Sequence, residues 1–419
     1  KYFNNTNNAS DLLLKYSSKE VENKLRFENL QTTNNNYKIN IGFGLENAEY
    51  SNATFQKIAN SNGISEIDFI SNLSMLKYSL FGQVSKKYFN SELGVSFGIR
   101  VDGTDYNNEM KNGLNQLSPR LSLSYEINKN ITFNASAGSY FQLPTYTILG
   151  YRNEVGELVN KNNELKFINA KHLVSGIEFK SAGNSKISLE GFYKVYKNYP
   201  FSVRDQISLA NLGSDFGVVG NEEVISNSEG RSYGFEVFAQ KKSYSGLYGL
   251  VSYTFVVSEF KDKTDKFISS SWDNKHLLTV TGGKKLNKNW EIGGKFRLVG
   301  GSPFTPYNID ASSNIENYNV SNQGILDYNI INTKRYNTYH QLDFRIDKTW
   351  YLKRFSLNFY VDIQNLYASE SIQQSYLIPS IDENGNRIID PNNNSKYILE
   401  DIENSSGNVL PRFGVIIDF

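Results

Sequence analysis

Cysteine is absent from all 419 residues, which removes disulfide frameworks and thiolate metal sites together. An excess of one charge sign is also missing, with Lys+Arg at 44 and Asp+Glu at 43. Nucleic-acid-binding chains ordinarily carry a basic surplus, so charge offers no case for that partner. No apolar run approaches the roughly 18 residues that a spanning helix needs. That excludes helical insertion but not a transmembrane barrel, whose strands show only alternate residues to lipid. The Asn-rich opening from Lys1 has no charged and then apolar leader pattern. No linker or composition shift divides residues 1–419, which read as one domain. Tryptophan is scarce at 3, whereas Tyr and Phe are plentiful at 28 and 27.

What is present, many times over, is a period of two. Leu93, Val95, Phe97, Ile99 and Val101 alternate with Gly94, Ser96, Gly98 and Arg100. The same pattern runs through Tyr37–Leu45, Leu121–Ile127, Trp290–Leu298 and Phe355–Ile363. Alternation over 8–12 residues means a strand with one apolar and one polar face. Short polar turns fall near 32–36, 86–90, 128–130, 181–185, 241–245, 286–289 and 349–353. Long polar segments fall near 48–70, 102–118, 142–170, 196–230, 258–275, 300–338 and 366–409. Seven short and seven long connections join fifteen strands. Alternating short and long connections are the periplasmic and extracellular ends of an outer-membrane barrel. The expected fold is therefore all-β, a transmembrane antiparallel β-barrel in the outer membrane of a Gram-negative bacterium, with lipid as its first partner.

A soluble β-sandwich explains this pattern less well. Strands in soluble proteins average about five or six residues, whereas these read as about ten, enough to cross the apolar band when tilted. The polar face also carries Glu178, Glu190, Glu236, Lys295, Arg297, Asp343 and Arg345, together with Glu126, Lys194, Glu291, Asp347, Asp362 and Asp418. Such charges suit a wet or plugged lumen and would be costly in a dry core. Fifteen is odd, while single-chain bacterial barrels have even strand numbers. The expectation is a partial barrel whose first strand enters from the extracellular side.

The closing run Pro411-Arg412-Phe413-Gly414-Val415-Ile416-Ile417-Asp418-Phe419 alternates and ends in an aromatic. It looks like the terminal strand signal read by outer-membrane assembly machinery. Ser118-Pro119-Arg120 and the return strand through Ala137-Gly138-Ser139-Tyr140-Phe141-Gln142-Leu143-Pro144 form a hairpin pattern. Further on stand Ser232-Tyr233-Gly234-Phe235-Glu236, Asp273-Asn274-Lys275-His276 and Val361-Asp362-Ile363-Gln364-Asn365-Leu366-Tyr367. In this order and spacing, from about residue 70 to 419, they resemble the barrel of the TonB-dependent outer-membrane receptors. The resemblance implies a 22-stranded barrel whose last fifteen strands these would match. It also implies an amino-terminal plug domain behind a TonB-binding box, and nothing in the chain resembles either. Uptake of a ferric siderophore, haem, cobalamin or an oligosaccharide follows as the implied function, with iron chelates the commonest cargo. A TonB-type energy-transducing protein, acting through a plug, is the implied partner. The other reading is a structural, adhesive or secretion-complex barrel that transports nothing.

Other candidate chemistry is thin, and no cofactor is expected. His172, His276 and His340 each begin a strand after a long loop, but parity puts His172 on the inner face and the other two outside. Metal ligands must converge, so these read as amphipathic interface residues. Asp382-Glu383-Asn384-Gly385-Asn386 lacks the Gly and Glu that a calcium loop needs at its sixth and twelfth positions, and reads as a tight turn. No Ser/His or Asp/His constellation supports an enzyme. Tyr37, Tyr88, Tyr125 and Trp290 at strand ends read as interface girdle residues. Aromatics inside long loops are different, because water gives them no packing reason. Tyr146, Tyr151 with Arg152, Trp272, Phe304, Tyr307, Tyr328 and Tyr336 are the candidates for a ligand-capturing surface, weighed against loop-on-loop packing.

Overall fold

The computed structural model describes residues 2–4, 12–60, 63–181, 184–212 and 220–419. Fifteen strands follow one another, each antiparallel to the next. They are β1 (Leu12–Thr32), β2 (Lys38–Asn60), β3 (Gly63–Tyr88), β4 (Leu93–Thr104), β5 (Ser118–Asn128), β6 (Ile131–Gln142), β7 (Ile168–Lys180) and β8 (Ser185–Ser202). The series continues with β9 (Val224–Tyr244), β10 (Leu247–Lys261), β11 (Lys275–Leu286), β12 (Trp290–Val299), β13 (Tyr339–Tyr351), β14 (Ser356–Gln364) and β15 (Leu410–Asp418). Tyr2–Asn4 against β1 and Phe267–Ser269 against β10 bring the sheet to seventeen strands among the described residues. From β4 onward long and short connections alternate as expected, whereas β2 and β3 are joined with no long loop between them. Residues 61–62, 182–183 and 213–219, inside three of the expected connections, lie outside the described residues. Among the described residues no helix is long and apolar enough to cross a membrane.

Register turns the alternation into two chemically distinct faces. Phe27 lies opposite Phe43, Phe43 opposite Leu80, and Leu80 opposite Val101, so apolar side chains form cross-strand rows. Phe27 and Phe43 stack with centroids 5.7 Å apart. At the far end Val361 faces both Ile346 and Phe413, and Phe359 faces Val415. Phe27, Phe43, Leu80, Phe413 and Val415 are all exposed. A continuous apolar patch of this extent is untenable in water, and lipid resolves it. At the short-turn end, Lys86 extends its ammonium over Tyr37 at 4.0 Å and Tyr88 at 5.2 Å. Lys348 lies 5.4 Å from the Trp290 ring and 5.5 Å from the Trp350 ring. Aromatic bodies with cationic tips are the side chains that suit a bilayer interface.

The first three strands depart from the expected ten-residue length, at 21, 23 and 26 residues. The segment expected as a long polar loop near 48–70 is the far half of a β-ribbon. Apolar outward positions on β2 end at Leu45, yet pairing with β3 continues to Asn60 opposite Gly63. That extra length is roughly 45 Å along the strand. The ribbon persists because its inner face has its own core. Ala48, Tyr50, Leu73 and Met75 are buried against Tyr106, Met110, Ile148, Leu149, Leu165 and Phe167 from two long loops. The ribbon therefore stands beyond the apolar band with one face packed, as a soluble sheet would.

Candidate ligand-binding face

The long connections fold onto one another at one end of the sheet. The helix Ile315–Ser321, in the 300–338 connection, packs on β2, which lies many strands away in the meander. Its Tyr318 hydroxyl donates to the Leu377 carbonyl at 3.3 Å. The Arg387 guanidinium sits between the rings of Tyr318 and Tyr397, at 5.3 and 5.6 Å, and donates to Asn319 Oδ1 at 2.8 Å. The Asn332 amide donates to the carbonyls of Asn211 and Ser269, at 3.0 and 2.9 Å. Four connections are tied together by these few contacts.

The tightest node is Asp273, which has no solvent exposure. Its carboxylate accepts from the Ser258 N–H at 2.9 Å, the Ser269 hydroxyl at 2.8 Å, Lys275 at 2.9 Å and Arg335. Burial alone would raise this carboxyl, but the four donors outweigh it and hold the group below its usual range. Arg335 also donates to the Gly301 carbonyl at 3.0 Å, so the 258–275 and 300–338 connections share one charge centre. Glu222 shows the opposite balance. Burial pushes its carboxyl up, against the pull of Arg204 at 3.6 Å and the Ser202 hydroxyl.

The loop aromatics separate into kinds. Tyr146 leans on Tyr50 with centroids 5.9 Å apart, accepts from Lys77 at 2.6 Å and donates to Glu22. Burial, and then Glu22, push its phenol up. Tyr151 packs edge-on against Phe69 at 5.6 Å, and Arg152 donates to the Gly156 carbonyl at 2.6 Å. Tyr307 donates to the Ser375 carbonyl at 2.9 Å. Phe304 and Tyr336 stack at 4.4 Å, and Tyr328 begins a short helical turn, partly buried. Trp272, beside the Asp273 node, is 44% exposed. Tyr146 and Tyr151 thus pack on the β2–β3 ribbon, whereas Phe304 and Tyr336 pack on each other. The Asp273–Arg335 node is the functional-looking element that sequence reasoning missed. Its one signal was Asp273 heading the Asp-Asn-Lys-His strand start.

The charged inner-face positions lie opposite the apolar rows. Glu178 pairs with Lys180 at 2.6 Å and with Lys186. Glu190 faces Glu236 across the β8–β9 register. Lys295 faces Asp343, while Arg297 donates to Gln341 at 2.9 Å and lies 3.6 Å from Asp343. Arg345 holds Asp347 in a bidentate pair at 2.7 and 2.8 Å, its guanidinium 3.9 Å from the Tyr360 ring. On the outer face His276 meets the Tyr253 hydroxyl at 2.9 Å and His340 the Tyr367 hydroxyl at 2.7 Å, whereas His172 packs tilted against inner-face Tyr140. Asp382 accepts from the N–H groups of Asn384 and Asn386, which makes its segment a self-capped turn.

With this geometry in hand, comparisons identify relatives. No curated protein sequence matches the chain. The pyoverdine outer-membrane receptor FpvA of Pseudomonas aeruginosa superposes with a TM-score of 0.60 at 13% identity, over 97% of this chain and 54% of that one. The FrpB iron transporter of Neisseria meningitidis gives 0.58 at 13% identity, over 95% and 55%. The ferric-catecholate import receptor Fiu of E. coli K12 gives 0.57 at 10%, over 97% and 55%. The chain thus spans about half the length of these solved structures, and at such identity the likeness is one of fold. A family profile described as TonB dependent receptor-like, beta-barrel, matches residues 1–366. The chain belongs to that family of Gram-negative outer-membrane receptor barrels.

Proposed function

We propose that this protein takes up a scarce nutrient across the outer membrane, a ferric siderophore or similar metal chelate. Residues 1–419 serve as one barrel domain, and a TonB-type energy-transducing protein drives passage through a plug. The observation that carries this reading is the interlocked loop assembly standing over a charged, concave inner wall. A rigid scaffold presenting ordered loops is where ligand binding usually resides. Trp272 and the stacked Phe304–Tyr336 pair are the loop aromatics we assign to capture. Tyr146 and Tyr151 support the loops from beneath. Family membership and the iron-receptor folds it resembles also support an iron cargo.

Growth of a deletion strain on single iron chelates tests the proposal. Loss of growth on one chelate, restored by the intact gene, is the expected result. Unchanged growth on every chelate together with lost surface attachment would favour a structural or adhesive barrel instead.

A further inference from the structure

Charge is distributed unevenly over the lipid-facing wall. Toward the long connections, outer-face cations have carboxylates. Arg231 meets Glu259 at 2.7 Å and Lys261 meets Glu229 at 2.8 Å. At the short-turn end of β11–β14 the pattern changes. The turns at 287–289 and 352–355 carry Lys288, Lys353 and Arg354 and no carboxylate. Lys284 and Lys348 stand on the outer face of strands that these turns join. Among the described residues none of these cations makes an ion pair. Glu291 and Asp347, the nearest carboxylates along the same strands, belong to the inner wall. There Glu291 accepts from the Tyr248 hydroxyl at 2.5 Å, and Asp347 is held by Arg345.

Register sets the two strand lysines among apolar outer-face side chains. Lys284 faces Leu247 on one side and Ile292 on the other, and Ile292 faces Ile346. Two residues nearer the turns, Trp290 faces Leu286 and Lys348, and Lys348 faces Phe359. The Lys348 ammonium donates to the Lys288 carbonyl, which keeps it beside the Trp290 and Trp350 rings. Lys284 and Lys348 lie two strands apart, roughly 10 Å. Ammonium groups at the edge of the apolar band, with no carboxylate to neutralise them, draw anions to that level. A soluble acidic protein answers the charge but not the rows of Leu, Ile and Phe. A lipid with an anionic headgroup answers both, because its chains cover the apolar rows while its phosphate meets the ammonium groups.

We infer that the outer face of β11–β14 at the short-turn end is a docking surface for anionic phospholipids of the periplasmic leaflet. The inference stands on the barrel alone and is independent of any cargo. Each lysine near a bilayer surface enriches acidic lipid about fivefold. Trp272→Phe in the full chain leaves Trp290 and Trp350, both beside Lys348, as reporters. That protein is placed in phosphatidylcholine bilayers containing a minor share of phosphatidylglycerol with brominated chains, or the same share of brominated phosphatidylcholine. At low salt the brominated phosphatidylglycerol should quench tryptophan emission at least about twice as strongly. Salt at 1 M, where the screening length falls to about 3 Å, should remove most of that excess. Lys284→Gln with Lys348→Gln should remove it at low salt, whereas Lys284→Arg with Lys348→Arg should keep it. Lys86→Gln, on distant β3, should leave it unchanged. Heat-modifiable mobility on gels checks that each variant has folded, and the salt comparison needs no charge variant. Equal quenching by the two lipids at low salt would overturn the assignment and leave these cations to a soluble acidic partner. An excess that persists undiminished through 1 M salt or through the paired Gln substitutions would overturn it as well.

Discussion

Asp273 illustrates how a single buried charge can organise loops that share no sequence pattern. Removing the charge leaves Arg335 and Lys275 without their anion, and breaking a buried pair in this way costs about 3–5 kcal/mol. Both cations remain about a third exposed, at 34% and 31%, so Asp273→Asn is expected at the low end, about 3 kcal/mol. Limited proteolysis should then cut the 258–275 and 300–338 connections at least tenfold faster while the strands stay intact. Because the folded carboxyl of Asp273 is held low, its contribution is present above the ordinary carboxylate pKa and fades as pH falls through the folded value. Glu222 runs the other way. Its raised folded value means stability that is present below about pH 4 and lost as pH climbs through that value. Cleavage of the 202–224 connection should therefore speed up as pH rises above about 4, and Glu222→Gln should flatten the profile. A flat profile in the parent protein would remove this account.

Among the elements, the β2–β3 ribbon and the middle of β9 depend on different packing. The ribbon outlasts the membrane band because Tyr50 and Met75 are buried against loop residues. Tyr50→Ala opens a cavity beneath Tyr146 and Leu149, and truncating a buried aromatic costs about 3–5 kcal/mol. Hydrogen exchange should rise across residues 46–60 and 63–76 but not across the membrane half of the same strands. Gly234, in the Gly-Phe-Glu pattern expected to open a strand, lies in the middle of β9, which begins at Val224. A Cβ there would lie 1.9 Å from the Phe255 carbonyl oxygen, so any side chain pushes β10 away from β9. Gly234→Val should reduce the folded, heat-modifiable fraction by more than half. Full assembly of that variant would show that the pairing tolerates the shift.

For the whole molecule, lipid contact is the decisive property, and its three tryptophans report on it. Trp290 and Trp350 lie beside Lys348 in the short-turn belt, whereas Trp272 stands among the loops, 44% exposed. In bilayers with brominated acyl chains, Trp290 and Trp350 emission should fall by roughly half or more, since Trp at this depth meets the acyl boundary. Trp272 emission should instead respond to aqueous iodide. Single-tryptophan variants separate the three signals, and lipid quenching confined to Trp272 would turn the barrel inside out.

The strand count, six of the seven long connections and the two-faced wall were legible because a side-chain period of two is a local property, visible in Leu93–Val101 without any partner. The terminal Phe419 strand and the Gly-Phe-Glu run at Gly234 were legible as patterns, although only register explains why the glycine is needed. The ribbon was not legible. On the buried face Ser71 interrupts Phe69, Leu73 and Met75, apolar Ile70 and Leu76 stand on the opposite face, and burial depends on loops distant in sequence. The same holds for Asp273 with Arg335, which lie 62 positions apart. Local alternation specifies which face a side chain takes, while pairing across strands and loops decides which charges are compensated.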